Sequence, residues 1–208
     1  MKYLKKSLLF VLLFISTGAF SQLEPKIDGL GTIFGMPVIK AEYIFNENIG
    51  AELSFNFRFG KPYFIDLYGS AEKQSGGGFK LESRYYFSPD YDADGYYMGL
   101  FFRNQSLSYY FHEDVYDSDR DMYIEKEDIK NQKFSSFGLV LGYKYFFDSG
   151  IILDYGVGFG RFLSNSIESS LHEETDTELE DYDYYFSFGV GYRFNWGEEK
   201  IDADFEEF

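Results

Sequence analysis

One pattern constrains this chain more than any other: apolar residues recur at every second position, segment after segment. In Ile49 to Gly60, Ile49, Ala51, Leu53, Phe55, Phe57 and Phe59 alternate with Gly50, Glu52, Ser54, Asn56 and Arg58. Successive side chains of a strand point to opposite faces, so this period builds a sheet with one greasy and one polar face. The same reading holds for Val38 to Asn46, Phe79 to Phe87, Phe137 to Phe147, Ile151 onward and Tyr184 to Trp196. Tyr96 to Phe111 begins alike and loses its register after Asn104. Ile27 to Phe34 completes a set of eight strands, without a clear assignment of its faces.

Which face points inward follows from volume. The chain has 25 Phe and 20 Tyr; the greasy faces are lined with Phe, Tyr and Leu, while the opposite faces are rich in Gly. An eight-stranded barrel is only just wide enough inside for its own side chains to fill it. Stacking the aromatic faces inside would overfill it, so they must face outward, into lipid. The expected fold is therefore all-β, an eight-stranded antiparallel up-and-down transmembrane β-barrel. Its interior would hold Lys40, Glu42, Glu52, Arg58, Lys80, Glu82, Arg84, Arg103, Lys144, Asp154 and Arg193. Buried charges are tolerated only in pairs, which makes a packed ion-pair network the expected filling. A polar path for a small solute is the alternative use of the same residues.

The ends and the loops agree with export. Lys2, Lys5 and Lys6 precede the short apolar run Leu8 to Ile15, and Ala19-Phe20-Ser21 fits a cleavage site. Residues 1–21 are thus expected to be a signal peptide, 22–196 the barrel and 197–208 an acidic tail. No later segment is long and apolar enough for a membrane helix. Glu47-Asn48, Ser88 to Gly95 and Asp148 to Gly150 are short connections, expected on the periplasmic side. Lys61 to Gly78, Glu113 to Gln132 and Ser164 to Asp181 are long and would lie outside, with the short Gly35-Met36-Pro37 connection. Tyr85-Tyr86-Phe87, Tyr143 to Phe147 and Tyr192 to Trp196 would then form an aromatic girdle at the inner interface.

The last strand, Ser187-Phe188-Gly189-Val190-Gly191-Tyr192-Arg193-Phe194, resembles the terminal assembly signal of outer-membrane barrels. Ser187, Gly189, Tyr192 and Phe194 occupy its constrained positions. Together with Lys40-Ala41-Glu42-Tyr43 and Arg84-Tyr85-Tyr86-Phe87, it makes the chain similar to a family of small Gram-negative outer-membrane barrels of unknown function. In architecture it also resembles the transmembrane domain of OmpA and the barrel OmpX. The resemblance implies the cell outer membrane as location, with membrane lipid and the barrel assembly machinery as partners, and a monomer. That family usually ends at the terminal aromatic, whereas Gly197 to Phe208 follow here. OmpA's peptidoglycan-anchoring role is not implied.

Net charge is −16, and removal of the three signal-peptide lysines leaves −19. Glu113 to Gln132 contribute −5 and Ser164 to Asp181 −7, so the acid is concentrated in loops. Such loops suit a divalent cation or a basic surface partner and repel nucleic acid. Asp90, Asp92 and Asp94 have the alternate spacing of a calcium loop, with Gly95 at the sixth position but Phe101 at the twelfth. Asp117, Asp119, Asp121 and Asp128 match positions one, three, five and twelve, with Met122 in place of the Gly. Weak calcium binding is the one cofactor expected. Without cysteine there is no thiol nucleophile, disulfide or lipidated N-terminal Cys. His112 and His172 fall near Asp114 and Ser169 in sequence, which is too little for catalysis. Gly156, Gly158 and Gly160 lie inside a strand, where a phosphate loop cannot form. The expected role is a non-enzymatic structural or surface-interaction barrel; a small-solute channel or a barrel enzyme is the alternative.

Overall fold

A computed structural model describes residues 23–33, 36–60, 73–117, 122–169 and 181–194. The segments expected to be a signal peptide and an acidic tail, and most of Lys61 to Gly78 and Ser164 to Asp181, lie outside these residues. Eight strands run in sequence: β1 (Leu23–Asp28), β2 (Val38–Asn46), β3 (Ile49–Gly60), β4 (Lys73–Tyr86), β5 (Gly95–Asp117), β6 (Met122–Phe146), β7 (Ile151–Ser169) and β8 (Tyr182–Tyr192). Each pairs antiparallel with its neighbour in sequence, and β1 pairs with β8, so the sheet closes in a ring.

The ring's two ends are built differently. At the turn end, Asn46 Oδ1 accepts the amides of Asn48 and Ile49 at 3.0 and 2.9 Å, which fixes the β2–β3 turn. The β4–β5 turn holds Ser88, Asp92 and Ala93 at positive φ. It folds back over the ring, where Ala93 N–H reaches Glu47 O at 2.6 Å and Ala93 is fully buried. At the other end the walls have unequal heights. β5 and β6 pair without interruption from Gly95↔Lys144 to Asp117↔Met122, whereas β1 meets β8 at only three rungs, from Lys26↔Gly191 to Asp28↔Gly189.

The structure corrects several sequence expectations. The first strand occupies Leu23–Asp28, and Gly29–Ile33, expected within it, forms a short helix, α1. Asp28 caps this helix: its Oδ1 accepts Gly31 N–H at 2.8 Å, and its carbonyl accepts the Thr32 hydroxyl at 2.7 Å. Glycines at 29 and 31 weaken the case for a strand, and the local cap decides. Most of Glu113 to Gln132, expected as a loop, is hairpin instead. Backbone pairing there continues past the point where the apolar alternation fades. β4 likewise starts early, at Lys73. Tyr86 and Phe146, assigned to the aromatic girdle, point into the ring and are buried. Each sits one residue out of phase with the outward set.

Greasy side chains cover the ring's outside. Ile39, Phe55, Leu81, Leu100, Leu139, Val157 and Phe186 are all exposed, Phe186 to 82%. The inside pairs a cluster of Ile44, Tyr86, Ala93, Tyr97, Phe101 and Val140 with charged residues.

Candidate functional site

Charges from six strands, and from Arg193 just after β8, converge in the turn-side half of the ring. They do so because even-numbered residues of β1 to β4 and β6, with Asp154 of β7 and Arg193 after β8, share the inward face. Lys26 Nζ donates to Glu42 at 2.5 Å, Glu52 at 3.0 Å and Asp154 at 2.6 Å, one proton for each carboxylate. Arg84 lies against the same three acids: Nη1 reaches Glu42 at 3.1 Å and Asp154 at 2.7 Å, and Nη2 lies 2.9 Å from Glu52. Its Nε and Nη2 both donate to a single oxygen of Glu82, Oε2, at 2.9 and 2.6 Å. Lys144 bridges Glu24 at 2.8 Å and Glu42 at 3.1 Å. Arg193 closes the turn end, with Nε on Glu24 at 2.6 Å and both Nη groups on the carbonyls of Tyr91 and Asp92 at 2.7 Å.

Tyrosines complete the network. Tyr86 donates to Glu42, Tyr97 to Asp154 at 2.9 Å, and Tyr185 to Glu82 at 2.6 Å. Two glycines make room for them. A Cβ on Gly142 would overlap the Tyr97 ring, and one on Gly158 would overlap the Tyr185 ring. The alternating Gly face of β6 and β7 thus accommodates the hydroxyls that hold the acids, a packing use with no phosphate-loop geometry.

Further up, Lys40 binds Asp28 at 2.7 Å and Ser187 Oγ at 2.6 Å, tying β2 to β1 and β8 where the seam is short. Lys80 pairs with Glu82, and Arg103 with Asp183, which also accepts the Ser136 hydroxyl. The paired set balances: seven acids (Glu24, Asp28, Glu42, Glu52, Glu82, Asp154, Asp183) face seven bases (Lys26, Lys40, Lys80, Arg84, Arg103, Lys144, Arg193).

Glu42, Glu52 and Asp154 bring carboxylate oxygens within 4.8 Å of one another, the only such metal-ligand group among the described residues. The Lys26 ammonium already occupies the point where a metal would sit, and Arg84 and Lys144 flank it. A divalent ion would have to displace a buried lysine and add charge to a set already neutral. The triad is therefore an ion-pair centre.

The acidic segments read as calcium loops are arranged otherwise. Asp94 is buried, and its Oδ1 accepts the amides of Asp90 and Tyr91 at 2.8 and 3.0 Å. Asp90 and Asp92 point to solvent. Asp94 caps the turn on which Arg193 docks. Asp117 pairs with Met122 and Asp128 with Phe111, six residues apart along the hairpin, roughly 20 Å at ~3.4 Å per residue. One loop therefore does not bring those two acids together. Asp119 and Asp121 lie outside the described residues. His112 is exposed on β5, and His172 lies outside the described residues.

Every interior charge expected from sequence faces inward: Lys40, Glu42, Glu52, Lys80, Glu82, Arg84, Lys144, Asp154 and Arg193 are buried, and Arg58 and Arg103 are partly so. Sequence reasoning missed Glu24, Lys26, Asp28 and Asp183. The first three alternate with Leu23, Pro25 and Ile27, a signal present but short and broken by proline. Ser187 and Gly189 of the terminal-strand motif face inward, while Tyr192 and Phe194 stack edge-to-face outside with centroids 5.2 Å apart. Comparison of the chain with known protein families, with characterised proteins and with solved structures finds no match.

Proposed function

We propose that the chain is a transmembrane β-barrel of the bacterial outer membrane, delivered by the signal peptide 1–21. Its role on this reading is structural or surface-interacting, with neither conduction nor catalysis. The observation that carries it is the outward apolar band. On β6 the band runs from Tyr145 to Phe137 and gives way to Ser135. On β7 it runs from Ile151 to Phe159 and gives way to Arg161. On β8 it runs from Tyr192 to Tyr184. Each run covers eight steps, roughly 21 Å for strands rising ~3.4 Å per residue at a tilt of ~40°, close to the ~25 Å band of such barrels. A soluble ring would present the charged face to water and hide the aromatic one.

The interior supports the non-conducting reading. Lys26, Arg84 and Lys144 fill the cross-section with their partners, and the folded-back β4–β5 turn covers the end. An ion crossing would have to separate pairs that are costly to separate in a dry interior.

Two measurements test the reading. Expressed with its leader, the protein is expected in the outer-membrane fraction, and Leu139→Arg is expected to lower assembled yield far more than Leu139→Ile. An arginine facing lipid near the midplane costs ~2–4 kcal/mol. Equal yields of the two variants would remove the membrane reading. In planar bilayers the refolded protein is expected to give no discrete conductance steps; steady single-channel currents would replace the closed barrel with the channel alternative.

A further inference from the structure

Among the described residues Arg58 stands outside the seven-and-seven balance without an acid, whereas Lys130, also outside it, pairs with the buried Asp128. Arg58 is half-buried on β3, and its sole polar contact among the described residues is the Tyr109 hydroxyl at 3.5 Å. That contact crosses β4 diagonally: Arg58 stands opposite Gly76, which has no side chain, and Tyr109 stands opposite Gln74, one inward position further along. Gly76 is solvent-exposed and leaves the space beside Arg58 without a β4 side chain. Deeper in the same space lies Arg103. Its Nη2 serves Asp183, but its Nε is buried with no hydrogen-bond partner. Asn56 Oδ1 and Gln105 Oε1 are also buried without partners, and the two residues share a rung across Gly78. Either amide can turn its NH2 group into the space, since its two ends are nearly the same size. Asp183 pairs with Arg103 alone, and no carboxylate pairs with Arg58 among the described residues.

We infer that Arg58, Arg103, Asn56 and Gln105 form a binding site for a small oxyanion, a phosphate or carboxylate group, at the hairpin end of the ring. A guanidinium recognises such groups with two parallel N–H donors, and an unpaired buried donor gains most from an acceptor. Asp183 keeps one Arg103 donor engaged, which leaves Nε and the Arg58 fork for the incoming anion. The acidic loops lower the local anion concentration, so the site selects by donor geometry and gets little help from long-range attraction. On the outer-membrane reading this end of the ring lies at the lipid headgroups, and the oxyanion comes either from a headgroup phosphate or from solution.

The test begins with the full mature chain refolded in an uncharged detergent, so it does not depend on membrane insertion. Sodium phosphate is titrated calorimetrically against a chloride blank of equal ionic strength. Wild type is expected to bind, Arg58→Gln to bind about tenfold more weakly or not at all, and Arg161→Gln to match wild type. The tenfold figure corresponds to losing one charge-assisted hydrogen bond. Arg161 is the control because it is exposed outside the ring and pairs with Asp181. Arg58→Lys keeps the charge without the fork and is expected to fall between, and strand-type circular dichroism verifies that each variant folds. A second arm compares unfolding midpoints in neutral vesicles with and without phosphatidic acid. Binding in the first arm alone assigns a soluble anion; an Arg58-dependent shift in the second alone assigns a headgroup. Neither signal in folded wild type, or equal binding by wild type and Arg58→Gln, overturns the site.

Discussion

The two halves of the ring's interior solve the same problem with different completeness. In the turn-side half, Lys26, Arg84 and Lys144 meet Glu24, Glu42, Glu52 and Asp154, and three tyrosines cap the remaining oxygens of Glu42, Asp154 and Glu82. Glu52 Oε1 lacks a hydrogen bond there, yet it lies 2.9 Å from Arg84. In the hairpin-side half, polar atoms of Asn56, Arg103 and Gln105 have no partner among the described residues, and a hydrophobic cluster of Leu107, Tyr109, Phe111 and Phe134 shares the space. The difference shows that a narrow ring can be filled with charge where the charges balance and the turns seal it. Where the wall rises unevenly and the count is off by one base, donors are left over.

Removing charge from the balanced half is the strongest way to break this comparison. Arg84→Met strips four carboxylates of a shared cation, with an expected loss of ~3–5 kcal/mol in reversible urea unfolding from a bilayer or micelle. A loss below ~1 kcal/mol would mean that the network relaxes or is wet, and the contrast between the halves would disappear. Lys144→Met should cost about as much. Adding Glu24→Gln should recover part of it, because the acid left without its lysine is then neutral; a double-mutant cycle reads the coupling. Gly158→Ala probes the packing beneath the network. The new methyl pushes Tyr185 off Glu82, for an expected ~1–3 kcal/mol by overpacking. The smallest effect is expected from Arg58→Met, within ~0.5 kcal/mol of wild type, because no acid is left unpaired. A large loss there would show that Arg58 is part of the balanced set after all.

Much of this was legible residue by residue. The period-two runs located β2, β3 and β7 and the turn-side parts of β4 and β6, and put Glu42, Glu52, Arg84, Lys144 and Asp154 on one face, because side-chain alternation is a local property of an extended backbone. β1 was misread because proline interrupts its alternation and a glycine-rich helix follows it. The reach of β5 and β6 was underestimated because their upper rungs are held by backbone pairing, which leaves little mark on the order of polar and apolar residues.

The sequence by itself determined the alternation, the eight strands and the list of charges that must turn away from the greasy face. Only the tertiary structure decided which charge meets which. Lys26 and Asp154 are separated by most of the chain, and they touch only because closing the ring brings β1 beside β8 and β7 within reach across a narrow interior. The same closure leaves Arg58 without an acid among the described residues, a fact about the whole set of pairs that no single strand carries.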